Sequence, residues 1–488
     1  MQTEMDSLLK NDTWKLVDLP NNRKAIPCKW VSKIKRNEHG YIEKYKARLV
    51  AKVFAQKFGI DYNETFAPVT RFSSIRLILA LAVEYDMYVH QIDVTTAYLN
   101  GKLKEDIYMK QPEYYVDSKF PHNMCKLNKT FGHEWNSVID SCIKKLGFNQ
   151  CAADLCVYTQ IINNEICIIA IYVDDIAIAC KNIQRIVKLK QHICQQFDVI
   201  DKNEISFCLG IQIERNISLG EIKIHQKQYI ESILMKYNII NMKSAYTPLN
   251  PSVKLVRGTK NKIDSKYYQS IVGSIMYLAV NTRPDIQHAV NTLSQFNNDP
   301  TEEHLDAAKH LLRYINTTIN FKICYRKSSI KDPYCYVDAD WGGNLVDRRS
   351  YTGYVFFMAN GPVTWESKKQ TTVALSSTEA EYMALTQATK EAIYLRNLLS
   401  QMQFQNIVTD PTKMYSDNLS SQQLVKHPIY HARTKHIDIK HHYVRDKYKD
   451  GDVTLVYTST NDMVADVLTK GLQKIKHMKF ANCLGKFN

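Results

Sequence analysis

No stretch of this chain is apolar for long enough to cross a bilayer, and no apolar segment follows a basic start, so neither a membrane span nor a secretory leader is expected. No CxxC pair and no dense cysteine framework occurs. The 12 cysteines are scattered, which argues against a disulfide-stapled scaffold and for reduced thiols in a cytosolic or nuclear setting. Internal repeats and low-complexity tracts are also missing. Acidic residues are in deficit: 64 Lys+Arg against 49 Asp+Glu leave a formal net charge of +15. That excess suits a polyanionic partner such as nucleic acid, the alternative being a solvated basic surface. Hydrophobic content of 45% and charged content of 23% are ordinary for a globular chain. At 488 residues the chain is long enough for about two to four domains.

Against this background one segment stands out. Ile166 to Cys180 reads ICIIAIYVDDIAIAC and sets Asp174 and Asp175 side by side in an otherwise apolar, β-branched run. One buried unpaired carboxylate is costly, and two adjacent ones also repel. A tight hairpin that lifts both acids to the edge of a sheet, where divalent metal can bind, resolves the conflict.

The rest of the chain supplies partners for that hairpin. Lys29, Lys33, Lys35, Arg36, Lys44, Lys46, Arg48 and Lys52 crowd short β-type runs broken at Asn37–Gly40, which predicts a basic hairpin that either clamps phosphates or forms a solvated face. Ser74 to Tyr85 has helical periodicity, and Tyr88 to Thr95 is a strand with Asp93 near its end. Trp135, Val138, Ile139, Cys142, Ile143 and Leu146 form one helical stripe, with Gly147 as its cap. Amphipathic helices are expected over Gln226–Tyr237 and His304–Ile315, and a further helix is stopped near Pro284. Lys254 to Lys266 is polar and charged, a linker or exposed loop. A boundary falls near Lys327–Asp332, and a β-rich section follows with Asp338 and Asp340 on its first strand. Ser376 and Glu379 have capping-box spacing at the start of a long helix. Asp417 sits at a strand–helix junction, and NDMVADVLTK opens another helix with Asp466.

These segments, in this order, resemble the reverse transcriptase and ribonuclease H region of Ty1/copia-type retrotransposon Pol polyproteins. The resemblance is carried by CKWVSKIK, YKARLVAK, GIDYNETFAPV, VHQIDVTTAYLNGKL, YVDD, CLGIQI, VGSIMYLAVNTRPDI, DADWGG, DRRSYTGYVF, SKKQTTVALSSTEAEY and VADVLTK, and covers nearly the whole chain. It implies an α+β / α/β multidomain fold: a right-hand polymerase with fingers, palm and thumb, then a connection, then a ribonuclease H-like fold. The expected divisions are 1–215 for fingers and palm, 216–330 for thumb and connection, 331–475 for the ribonuclease H-like domain and 476–488 for a tail. No protease, integrase or zinc-knuckle segment is recognised, so the sequence is expected to be the C-terminal part of such a polyprotein.

The resemblance implies RNA-directed DNA polymerase activity on an RNA template, a DNA primer and dNTPs, with hydrolysis of the RNA strand of an RNA–DNA hybrid. Both reactions suit two Mg²⁺ (or Mn²⁺) ions per active site, held about 4 Å apart by carboxylates. It maps the polymerase ligands onto Asp93, Asp174 and Asp175, although Asp93 taken alone would serve equally as a helix cap or surface carboxylate. Tyr172 would line the primer terminus, and Lys35, Lys46 and Arg48 are candidates for the triphosphate. The ribonuclease H ligands map onto Asp338, Glu379, Asp417 and Asp466, with Asp340 as the alternative to Asp338 and Glu381 as the alternative to Glu379. His436, His441 and His442 lack the paired cysteines of structural zinc and are read as part of a nucleic-acid-facing element. Expected associates are nucleic acid, a second copy or upstream polyprotein domains, and no membrane. The expected location is cytoplasmic, in a virus-like particle, and also nuclear.

Two departures from the family pattern stand out. CKLNKTFGHEWNS at Cys125–Ser137 lacks a segment like LYGLKQxPRxW that helps place the incoming nucleotide, and Val53 stands where relatives have Gly in VAKGF. Misplaced reactants cost orders of magnitude in rate even with metals bound. The polymerase of this copy is therefore expected to be weak or absent, which leaves two alternatives: a nucleic-acid-binding relic or a hybrid nuclease only.

Overall fold

In the computed structural model the chain is described over residues 1–36, 42–52, 68–95, 97–101, 103, 105–129, 132–239, 242–258, 261–426 and 438–487. Val53, the Asn37–Gly40 turn and His436 lie outside these residues, and so do the side chains of Lys35, Lys46, His441 and His442.

Alternation of apolar and small residues drives the central six-stranded antiparallel sheet. Its order is Val199–Glu204, Tyr88–Val94, Asp175–Cys180, Glu165–Tyr172, Val157–Ile162, Asn149–Gln150. Ile92, Ile169, Ile171, Ile176 and Ile178 face one way and pack on Trp135, Ile139 and Ile143 of the Gly132–Lys145 helix and on Ile186 and Ile193 of the Ile183–Gln196 helix. Val89, Ile168, Ala170 and Ala179 face the other way, in the same core as the Phe72–Glu84 helix. The period of two therefore places every second residue in a different core. The expected Trp135 stripe and the Gly147 cap (φ 84°) are both present. Cys28–Arg36 and Ile42–Ala51 pair antiparallel as the expected basic hairpin.

The Phe72–Glu84 helix is buried along most of its length, because a second body of structure covers its far side. Arg76 makes that seam. Its guanidinium donates to the carbonyls of Val363 (2.8 Å), Val280 (3.0 Å) and Asn281 (2.9 Å) and lies over the Trp365 ring. Burial lowers its pKa to about 10, still well above neutrality. That second body is a five-stranded sheet of order Gly361–Lys369, Tyr351–Met358, Tyr334–Ala339, Thr412–Ser416, Val453–Tyr457. The first three strands form an antiparallel meander, and the last two add in parallel. The helix Ser377–Gln401 packs on this sheet through Ala380, Ala384, Leu385 and Ala388.

Between these bodies in chain order, the helices Lys227–Lys236, Ser265–Asn281, Gln287–Ser294 and Glu302–Thr317 enclose a core of their own. Two expected boundaries are corrected here. Position 216 falls inside a β-hairpin, since Ile211–Asn216 and Glu221–His225 are paired strands of one four-stranded sheet that Ile323–Arg326 completes. Residues 476–488 are not a tail: Lys474–Leu484 is a helix whose His477, Phe480 and Leu484 are buried.

Arg283 and Asp285 form a fully buried two-pronged ion pair of 2.9 and 2.7 Å. Tyr314 donates to Asp285 at 2.8 Å, Arg283 donates to Thr318, and His477 bonds the Tyr314 hydroxyl at 2.9 Å. A buried pair that is fully hydrogen-bonded can be tolerated, whereas half of one cannot. Arg283→Met should cost about 3–5 kcal/mol of stability, and Arg283→Met with Asp285→Leu distinctly less. The midpoints of urea unfolding measure both.

Candidate metal centres

The expected hairpin is present, and the register of the sheet decides what its acids meet. Tyr172 and Asp175 close a two-residue turn, and Asp175 lies directly opposite Asp93 on the neighbouring strand. The Asp174 carbonyl accepts the Val94 N–H at 2.8 Å. Val173, the first turn residue, has φ 57°, a left-handed conformation that strains a β-branched residue. Trp135 Nε1 donates to its carbonyl at 2.7 Å and holds the turn from below. Asp174 is half-buried, and burial first, then Asp175 and Asp93, raise its pKa, with Arg48 opposing. Arg48 therefore faces the cluster electrically, although its side chain is exposed. Tyr172 packs against Phe72, with ring centroids 6.1 Å apart.

Two residues in this cluster were not anticipated from the sequence. Gln91 Nε2 donates to Asp175 Oδ1 at 2.7 Å. Lys202 places its ammonium 2.8 Å from Asp93 Oδ2 and 3.1 Å from Asp175 Oδ1. Period-two spacing on Tyr88–Val94 puts Gln91 and Asp93 on one face, so Gln91 was readable in principle. Lys202 was not, because its position depends on an irregularity in strand pairing.

The second cluster gathers Asp338 from the strand Tyr334–Ala339, Glu381 from the helix Ser377–Gln401, and Asp417 just after the strand Thr412–Ser416. Each offers a carboxylate oxygen, and these oxygens all lie within 4.8 Å of one another, close enough to share one cation. Burial first, then Asp466 and Asp417, raise the Asp338 pKa to about 6, with Lys470 opposing. Burial, Asp338 and Asp417 push Glu381 well up. Glu381 Oε2 is buried without a hydrogen-bond partner. Three converging carboxylates with one orphaned oxygen fit a hard divalent cation with oxygen ligands.

Glu379, expected in this cluster, does not reach it. Its carboxylate accepts the Leu375 N–H at 2.7 Å, while Ser376 Oγ accepts the Glu379 N–H at 3.2 Å, so it caps the helix. Two residues on, about 200° around the helix, Glu381 points inward instead. Asp340 is also outside the cluster: it accepts the Tyr351 N–H, and burial raises its pKa to about 7.

Asp466 is fully buried and sits on a 3₁₀ turn, Val464–Leu468, not on the expected helix. Lys470 lies 2.7 Å and Lys476 2.5 Å from its carboxylate. Lys470 also lies 3.5 Å from Asp338 Oδ2, and Thr469 Oγ1 donates to that oxygen. Gly353, directly opposite Asp338 in the sheet, makes this approach possible. A Cβ there would sit 2.7 Å from Thr469 Cγ2 and 2.8 Å from Leu468 Cβ.

A family model described as "Reverse transcriptase (RNA-dependent DNA polymerase)" matches residues 11–251, which include the first cluster. The chain is 40% identical over 492 residues to the "Retrovirus-related Pol polyprotein from transposon TNT 1-94" of Nicotiana tabacum, covering 98% of this chain and 37% of that protein. It is 37% identical over 493 residues to the "Retrovirus-related Pol polyprotein from transposon RE1" of Arabidopsis thaliana, covering 99% of this chain and 33% of that protein. A transposon Ty5-1 protein of Saccharomyces cerevisiae is 33% identical over 308 residues, 62% of this chain and 100% of that protein. The chain thus spans about a third of the length of the two plant polyproteins. Among solved structures, a foamy viral protease–reverse transcriptase in complex with dsDNA aligns with 94% of this chain and 82% of that chain at 14% identity, with a TM-score of 0.49. The chain belongs to the Pol polyproteins of Ty1/copia-type transposons, and its residues 11–251 to the reverse transcriptase family.

Proposed function

We propose that this chain carries two phosphoryl-transfer centres, an RNA-directed DNA polymerase site at Asp93, Asp174 and Asp175 and a ribonuclease H site at Asp338, Glu381, Asp417 and Asp466. The observation that carries the first is the strand register, which sets Asp175 opposite Asp93, with Asp174 on the hairpin turn that immediately precedes Asp175. The second is supported by the converging oxygens of Asp338, Glu381 and Asp417. In this reading the hairpin Cys28–Ala51 belongs to the fingers and the six-stranded sheet is the palm. The helical unit is thumb and connection, and the five-stranded sheet is the ribonuclease H-like domain.

Mg²⁺ or Mn²⁺, when bound, would supply positive charge at the reacting phosphate and lower the pKa of the attacking hydroxyl or water. The protein's own part is to hold the ligands still. Asp93 and Asp174 would be the principal ligands of the first site, with Asp175 assisting and oriented by Gln91. Tyr172 flanks the primer end, and Arg48 brings positive charge toward a triphosphate beside Asp174. The substrates of this reading are an RNA template, a DNA primer, dNTPs and an RNA–DNA hybrid, which the net charge of +15 favours.

One sequence feature supports a second reading, a hybrid nuclease with little polymerase. The nucleotide-placing segment between Cys125 and Ser137 is truncated, whereas all members of the second cluster are present. Primer extension on poly(rA)·oligo(dT) with Mg²⁺ or Mn²⁺ separates the readings: weak or no extension alongside hybrid cleavage favours the nuclease, and processive synthesis excludes it.

The acid assignments are tested by hybrid cleavage. Glu381→Gln and Asp417→Asn should each lower the rate about 10²–10³-fold, the scale of losing one charge-stabilising group. Glu379→Gln should leave cleavage near wild type and lower stability by about 1 kcal/mol or less through the weakened cap. The reverse pattern would restore Glu379 as the ligand.

A further inference from the structure

The strand Val199–Glu204 pairs with Tyr88–Val94, and its register slips between Asp201 and Glu204. Asp201 lies opposite Ile92 and Glu204 opposite His90, so Lys202 and Asn203 together face Gln91. One extra residue is a β-bulge, a device that re-aims a side chain. The bulge is firmly held: Asn203 takes φ 57° and donates its N–H to Asp201 Oδ1 at 2.8 Å. Lys190, almost fully buried, grips the same oxygen at 2.6 Å. The outcome is that Lys202 points into the Asp93–Asp175 pair.

Its ammonium bridges the two carboxylates at 2.8 and 3.1 Å, which is where a cation shared by both acids would sit. An ammonium and a divalent ion cannot occupy that point together, since both are cations and the space is a few ångströms wide. Yet the side chain is 36% exposed, so its flexible stem can withdraw the charge into water. Lys190 lacks that freedom. The second cluster repeats the arrangement with unrelated elements: Lys470 lies between Asp466 (2.7 Å) and Asp338 (3.5 Å) and is 38% exposed.

We propose that Lys202 is a tethered counter-ion of the Asp93–Asp175 pair, which a divalent ion displaces on binding, so that this lysine sets the metal concentration at which the first site loads. The inference rests on the reading of that site as a metal centre. In the metal-free protein the ammonium offsets the repulsion among Asp93, Asp174 and Asp175 that the strand register imposes. On loading it leaves, and the acids exchange one positive charge for two. Lys470 plays the corresponding part for Asp338 and Asp466.

The test uses Fe²⁺ as the probe metal. With ascorbate and peroxide, bound Fe²⁺ generates hydroxyl radicals that cut nearby backbone, and mass spectrometry of the full chain locates the cuts. Wild type should be cut around 172–176 and around 338. Lys202→Met, which keeps most of the stem without the charge, should reach half-maximal cutting at 172–176 at roughly five- to tenfold lower Fe²⁺, with the midpoint around 338 unchanged. Lys470→Met should do the reverse, and Lys202→Arg should stay near wild type. In EDTA, Lys202→Met should melt lower than wild type and gain more from added Mg²⁺. Lys202→Gln serves as the neutral variant if the Met form does not fold. A midpoint at 172–176 that is unchanged or higher in the neutral variants overturns the proposal, as does an equal shift at both clusters. No cutting at 172–176 in wild type at any Fe²⁺ level overturns the metal-centre reading itself, and the inference with it.

Discussion

Carboxylates brought together by strand register repel one another, and much of the chain is organised around holding them there. Asp93 and Asp175 are cross-strand partners, and Asp174 sits on the turn that leads from Glu165–Tyr172 into the strand of Asp175. None of the three can leave without breaking the pairing of an antiparallel sheet whose alternate residues fill two cores. The sheet can impose this repulsion because its apolar burial is far larger, at roughly 25 cal/mol per Å² over many fully buried side chains. The same balance operates at the second cluster, where a strand, a long helix and a strand–helix junction deliver Asp338, Glu381 and Asp417 to within 4.8 Å. There burial adds to repulsion, and together they raise the Asp338 pKa to about 6.

The two clusters belong to one continuous body. The Phe72–Glu84 helix packs on the six-stranded sheet with one side and on the strand Gly361–Lys369 with the other. Arg76 crosses that seam and donates to three backbone carbonyls, two of them in buried contacts. A guanidinium suits this work because its fixed fork matches several acceptors while its flat face rests on Trp365. A lysine is a point charge without the planar fork, and could not span the three acceptors while lying flat on the ring.

Much of this was legible in the sequence, and the limits have physical causes. Elements with strong local periodicity were readable: the Trp135 stripe, the YVDD hairpin and the basic hairpin all form where their patterns place them. Asp174 and Asp175 stood out as adjacent acids in an apolar run, whereas Asp93, Asp338 and Asp417 were assigned through the family resemblance. Glu379 and Glu381 could not be separated by spacing alone, since a cap and an inward-facing acid lie only two residues apart on the same helix. Asp466 lies on a short 3₁₀ turn whose position depends on Gly353, a residue more than a hundred positions earlier. Lys202 was invisible because a bulge has no periodic signature. Local pattern thus singled out the Asp174–Asp175 pair, the resemblance supplied the other acids, and non-local packing placed the cations.

That division bears on how the second cluster is held. Asp466 is fixed by Lys476, which stands on the helix Lys474–Leu484. The next residue on that helix, His477, bonds Tyr314, which donates to Asp285 of the buried ion pair with Arg283. Burial lowers the His477 pKa to about 4, so at neutral pH it meets the Tyr314 hydroxyl as a neutral ring and adds no charge to the network. Adjacent side chains on one helix therefore reach an acid of the cluster and the central ion pair of the helical unit. Each half has a reason to exist alone, since a buried carboxylate needs cations and a buried arginine needs its aspartate. Joined through a single rigid helix, they make the placement of Asp466 depend on the packing of Pro284–Ile286 and Glu302–Thr317, which carry Asp285 and Tyr314.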